Sequence, residues 1–174
     1  MGCLLSANIT KSSNCDFSVG GLQGLYLANR SDVLTASLNA LGVVTGLTSP
    51  TGGTPNFYKI EFERGTGQFT EPLAVGAVRH VTPTVNFTVA NIDQAKRLIL
   101  KSIALGDFTA ACKKSDGKYY LAGYDCDGIT SVTLEANSGL AQTDGDVANI
   151  SLAGASRDYA HEISSTLAAT LGLV

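Results

Sequence analysis

FTAACKKSDGKYYLAG, residues 108–123, decides the fold class. Two runs rich in apolar residues flank Ser115-Asp116-Gly117. Asp-Gly between such runs is the strongest short-range hairpin signal, because glycine supplies the positive φ that a tight turn needs. The stretch reads as a strand from Phe108 to Lys113, a turn, and a return strand from Lys118 to Gly123.

Working outward, the same grammar repeats. Residues 129–135 and 148–153 read as two further strands joined by a polar Gly/Asp loop over 136–146. Upstream, GLYLAN (24–29) reads as an early strand. In FYKIEFE (57–63), Tyr58, Ile60 and Phe62 share one face. Arg64-Gly65-Thr66-Gly67 turns the chain into a strand at 68–71. VRHVTPTVNFTV (78–89) is another extended run, with Pro83 marking an edge strand or a bulge. One helix is predicted over 92–105. Asn91 caps it with Gln94 returning the bond, and Ile92, Ala95, Ile99 and Ile103 lie on one face. Asp93 suits its positive end, with Lys96, Arg97 and Lys101 further along, and Gly106 is the stop. A short helix is expected at 156–166, with Ala160, Ile163 and Leu167 inward. The fold class is therefore mainly β (α+β): a single domain over 1–174. Residues 1–20 form an N-terminal arm, and residues 41–56 are either a flexible loop or an extended arm that orders only against a partner.

Composition narrows the function. The 174 residues carry 16% charged side chains, against about 25% in an ordinary soluble domain. Mean hydropathy is +0.16, yet no apolar run approaches the roughly 18 residues that cross a bilayer. The stretch 38–47 is interrupted by Asn39, Gly42, Thr45 and Gly46. A charge-poor chain of this kind hides surface against copies of itself, since interface cores are depleted in charge. A net charge of −3 and a pI near 5.2 exclude an ordinary nucleic-acid binder, which shows a basic patch.

Chemical motifs are absent. Cys3, Cys15, Cys112 and Cys126 have no C-x-x-C spacing and no zinc pattern with His80 and His161, so they read as free thiols in a reducing compartment. There is no G-x-S-x-G, H-E-x-x-H or phosphate-binding glycine loop. His161-Glu162, adjacent on the expected helix, would not face each other. Asp125-Cys126-Asp127-Gly128 resembles part of a calcium loop but has Gly123 at the first ligand position and Leu134 at the twelfth. Asp144-Gly145-Asp146 reads as turn chemistry. The start MGCLLS matches a myristoylation pattern, with Cys3 placed for a second acyl chain. No polybasic run supports it, and one chain alone holds weakly. The Asn-x-Ser/Thr sequons at Asn8, Asn29, Asn86 and Asn149 are discounted, as no secretory leader pattern precedes them. No catalytic, cofactor-binding or metal-ligating residue is assigned, and no cofactor.

From Lys118 onward, KYYLAGYDCDGITSVTLEANSGLAQTDGDVANISLAG resembles the C-terminal half of tail tube proteins of tailed bacteriophages, those of Bacteroidetes phages especially. GLYLANRSDV (24–33) resembles their N-terminal strand. Asp144 to Ala148 departs from the pattern, where an Asn-Gly turn is expected. The resemblance implies a β-sandwich or half-barrel with one flanking helix. Copies, six to a ring, would join edge to edge so that inner sheets close into a barrel. Stacked rings would form the DNA-conducting channel, with 41–56 and the arm, including Cys3, Leu4, Leu5 and Ile9, bridging subunits. Implied partners are the chain itself, the tape measure, tail terminator and baseplate hub proteins, and genomic DNA passing without specific binding. The implied location is the virion tail, after synthesis in the bacterial host cytoplasm, with no membrane. Two alternatives stand beside this non-enzymatic reading. One is a neck, completion or connector ring protein of the same lineage. The other is a carbohydrate-binding adhesion sandwich using Tyr119, Tyr120 and Tyr124 beside Asp125 and Asp127.

Overall fold

In the computed structural model, residues 20–33, 35–76, 78–126, 128–138 and 145–173 are described. Strand β1 (Leu22–Asn29) leads through a 3-10 turn at Arg30–Asp32 to β2 (Thr35–Leu38), β3 (Val44–Thr48) and β4 (Tyr58–Ile60). Then come β5 (Gln68–Thr70), β6 (Leu73–Val75), β7 (Arg79–Val81), β8 (Thr84–Ala90) and helix α1 (Gln94–Leu105). The chain continues as β9 (Asp107–Lys114), β10 (Tyr119–Ala122), β11 (Ile129–Asn137), β12 (Val147–Ala153), β13 (His161–Ile163) and helix α2 (Ser165–Thr170).

The β9–β10 hairpin forms as read. Tyr119 sits opposite Lys113, and Gly117 takes φ +83° in the turn. β9 is the hub of one large mixed sheet, ordered β2-β3-β13-β10-β9-β11-β12-β8-β5. One edge of β9 pairs with β1 from Lys114 to Phe108. The other edge is shared by β10 at one end and β11 at the other, so the sheet forks there. The fork is tight: a Cβ on Gly128 would stand 2.9 Å from the Phe108 carbonyl oxygen, and one on Gly154 would collide with the Gly128 carbonyl. β3–β13 is the parallel pairing. The path ends at β2 and β5, which do not pair, so no barrel closes among the described residues.

Forking places β1 and β9 between two cores. Leu25, Leu27, Phe108, Ala110 and Cys112 face one core with Val85, Phe87, Ile129, Ile150, Leu152 and the α1 residues Leu100 and Ile103. Tyr26, Ala28 and Ala111 face the other with Val44, Leu47, Leu121, Ile163 and Leu167. Burial on both faces explains why these strands read as near-continuous apolar runs rather than alternating ones.

Several expectations are corrected. α1 is capped by Asp93, whose carboxylate accepts the Lys96 N–H at 2.7 Å, while Asn91 sits in a turn at φ +54°. The helix begins at Gln94, two residues later than read; of the expected inward face Ile92 and Ile103 are buried, whereas Ala95 is exposed, Ile99 is 54% exposed, and Leu100 is inward instead. Gly106 ends the helix in extended backbone, not the left-handed form. Pro83 splits the 78–89 run; β8 is interior between β12 and β5, and β7 leaves to pair with β6. In 57–63, Tyr58–Ile60 is the strand paired with β1; Ile60 and Phe62 pack on the first core, whereas Tyr58 is exposed. Within the expected loop 41–56, Val44–Thr48 is a strand paired with β2. The expected helix at 156–166 is β13 followed by α2, because His161–Ile163 extends the β10 edge and the Ser164 hydroxyl caps the Leu167 N–H. Residues 1–19 of the N-terminal arm, with Asp127 and Asp144, lie outside the described residues.

Candidate assembly surface

Four adjacent strands, β5, β8, β12 and β11, turn one face to the first core and the other away from it. Register decides which residues share the outer face. Gln68 pairs with Asn86, Asn86 with Ser151, and Ser151 with Thr133. The next row is Thr70, Thr84, Ala153 and Thr130, and beyond the first lie Thr88, Asn149 and Glu135. All are exposed or half-buried. Across the ladder the Thr88 hydroxyl donates to the Asn149 amide oxygen at 2.9 Å. The rows are mostly hydroxyls and amides, with Ala153 and Glu135 among them, and Val132 in the β11 bulge is also exposed. No Lys or Arg occurs in any of the four strands, and Glu135 is their only carboxylate. With no cation, the face offers phosphate no electrostatic attraction beyond neutral hydrogen bonds, and little repels it.

A second surface lies at the opposite end of the sheet. No charged residue occurs between Asp32 and Lys59, a span that holds the β2–β3 hairpin. Among the described residues nothing pairs with the outer edge of β2, where Thr35, Ser37 and Leu38 are exposed. Leu41 in the hairpin turn is 88% exposed. Free edges of monomeric sheets are normally guarded by lysine or proline. This one bears a bulge between Ser37 and Leu38 and no charge.

The acidic and histidine side chains singled out in the sequence make contacts that hold loops and strands together. Asp125 accepts the Ser156 hydroxyl at 3.0 Å and the Arg157 N–H at 2.8 Å. Beside it, Arg30 Nε donates to the Cys126 carbonyl at 3.0 Å. Together these groups pin the loops at the fork. His161 Nδ1 is 2.7 Å from the Gly42 carbonyl, which ties β13 to the β2–β3 turn. Its neighbour Glu162 points to the other side of β13 and pairs with Lys118 at 2.9 Å. Burial pushes the Cys112 thiol far above its ordinary range, with Glu71 adding and Lys114 opposing. Among the described residues, no three His, Cys, Asp or Glu side chains cluster as metal ligands, and no helix is long and apolar enough to cross a membrane.

Tyr119, Tyr120 and Tyr124 do not lie together on one open face. Tyr119 is buried against Tyr26. The Lys114 ammonium covers Tyr120 at 4.0 Å from its ring centre, and Tyr124 meets His161 edge-on. Burial, then Asp125 and Asp158, raises the Tyr124 phenol.

Sequence reading missed the neutral face. Its signal was present, because no Lys or Arg occurs between Lys118 and Arg157 or between Arg79 and Lys96, but only the register assembles those intervals into one surface. Compared with known proteins, the chain matches no family model, no curated protein and no solved structure.

Proposed function

We propose that the chain is a non-catalytic structural subunit that assembles with copies of itself into rings, of the kind that stack into a phage tail tube and conduct DNA. The observation that carries this reading is the cation-free outer face of β5, β8, β12 and β11. Turned toward a channel, a neutral hydroxyl and amide lining keeps a layer of water and holds passing phosphates by no ionic contact. The uncharged β2 edge supports the same reading, because ring closure would remove an edge the monomer leaves open. Genomic DNA, neighbouring tail proteins and a place in the virion tail follow as parts of the proposal. A neck or connector ring differs in not stacking. Negative-stain microscopy of the purified chain over a range of concentrations tests the reading. Rings with a central hole support it, and stacked rings favour tube over connector. Compact monomers at every concentration count against it.

A further inference from the structure

A cleft of about 790 Å³ opens among the described residues where the chain enters β1. That volume lies within the range of ligand-binding clefts. Leu22 and Phe62 are its apolar lining, and Gln23, Glu61, Arg64 and Ser115 its polar lining. Gly67 lets the apolar side pack closely, because a Cβ there would collide with the Phe62 ring and stand 3.0 Å from Leu22. Both walls are tied in place. The Ser115 hydroxyl donates to the Gly20 and Gly21 carbonyls at 3.1 and 3.2 Å. The Gly67 carbonyl accepts the Leu22 N–H at 3.2 Å. A register shift between Leu22 and Gly24 takes Gln23 out of the β1–β9 ladder. Shifts of this kind re-aim a side chain next to functional sites.

The polar groups of the cleft have bonds to spare. Among the described residues, neither the Gln23 amide nor the Arg64 guanidinium has a hydrogen-bond or ion-pair partner. Glu61 stands 3.7 Å from Lys59 with its side chain 84% exposed, and an ion pair that open holds its partners weakly. A guanidinium only donates, a carboxylate only accepts and an amide does both. Glu61 and Arg64 are the two charged residues of the lining. An anion drawn to Arg64 also meets Glu61, and a cation drawn to Glu61 also meets Arg64, so a ligand of one sign gains little. A polyhydroxyl ligand uses the whole set, since each hydroxyl both donates and accepts.

We infer that this cleft binds a short neutral saccharide. Arg64 and Gln23 donate to its hydroxyls, Glu61 accepts from them, and one C–H face of a sugar ring rests on Phe62 and Leu22. Every group named belongs to one copy, so the inference goes beyond ring assembly and does not rest on it.

Saturation-transfer difference NMR on the full chain tests it, with cellobiose, maltose, lactose and chitobiose as probes. The method observes the sugar, so it reads monomers and assemblies alike. Transfer is expected to at least one probe, strongest on one face of a ring, and undiminished by added inorganic phosphate. Gln23 and Arg64 are exposed, and circular dichroism confirms that Gln23→Ala and Arg64→Ala stay folded. Arg64→Ala should weaken binding about tenfold or more, and Gln23→Ala about threefold, as the loss of charged and neutral hydrogen bonds does. Arg79→Ala, on β7 and outside the cleft lining, should bind like the wild type. No transfer to any probe, equal binding by the wild type and both cleft variants, or displacement of the sugar by phosphate would overturn the inference.

Discussion

Asn86→Lys with Thr133→Lys puts two cations on the neutral face. The two residues lie in one row, separated by β12, through Ser151. At about 4.8 Å per strand they stand roughly 10 Å apart, close to the screening length at 0.1 M salt. Each lysine therefore acts nearly independently and engages one phosphate. Two contacts give a salt slope of about −1.8 in log K against log salt. Binding to duplex DNA should then fall roughly tenfold between 50 and 200 mM salt. The wild type should show neither measurable binding nor a slope. Fluorescence anisotropy with a labelled duplex reads both quantities. Stability should change by less than about 1 kcal/mol, since both sites are half-buried or exposed and sheet propensities span only that range. Salt-sensitive DNA binding by the wild type would refute the reasoning, because it would require a cationic face elsewhere that meets the nucleic acid.

Other substitutions test the fold. Gly154→Ala drives a Cβ into the Gly128 carbonyl at the fork. It should cost about 1–3 kcal/mol, as overpacking does, and lower Tm by roughly 2–4 °C per kcal/mol in a calorimetric scan. Asp93→Ala removes the α1 cap and should cost about 1 kcal/mol by urea unfolding. Asn91→Ala lacks that cap-removal effect. Cys112 is buried and its thiol is raised. Its contribution is full below the ordinary thiol value of 9.0 and falls as pH rises, because the unfolded chain ionises there while the folded one stays protonated. Stability by urea unfolding should drop by up to about 1.4 kcal/mol per pH unit above that value, and Cys112→Ala should flatten the drop.

Elements set by local chemistry were legible. Asp116-Gly117 announced the β9–β10 hairpin, and the Leu25–Ala28 run announced a strand whose two faces are both buried. What depended on distant pairing was not. His161–Ile163 looks helical until the β10 edge claims it. Leu73–Val75, between Pro72 and Gly76, is too short to read as a strand and exists through its pairing with β7. The helix was legible with Ile92 and Ile103 inward, but Leu100, not Ile99, completes its buried face. The neutral face had a trace in the sequence, two long intervals without cations, yet becoming a surface required the β8–β12 register.

Cryo-electron microscopy of the assembled chain would locate β5, β8, β12 and β11 relative to the ring axis. The expected result is Asn86, Asn149, Ser151 and Thr133 lining an open channel. Rings whose hole is lined by α1, with this face turned outward, would contradict it.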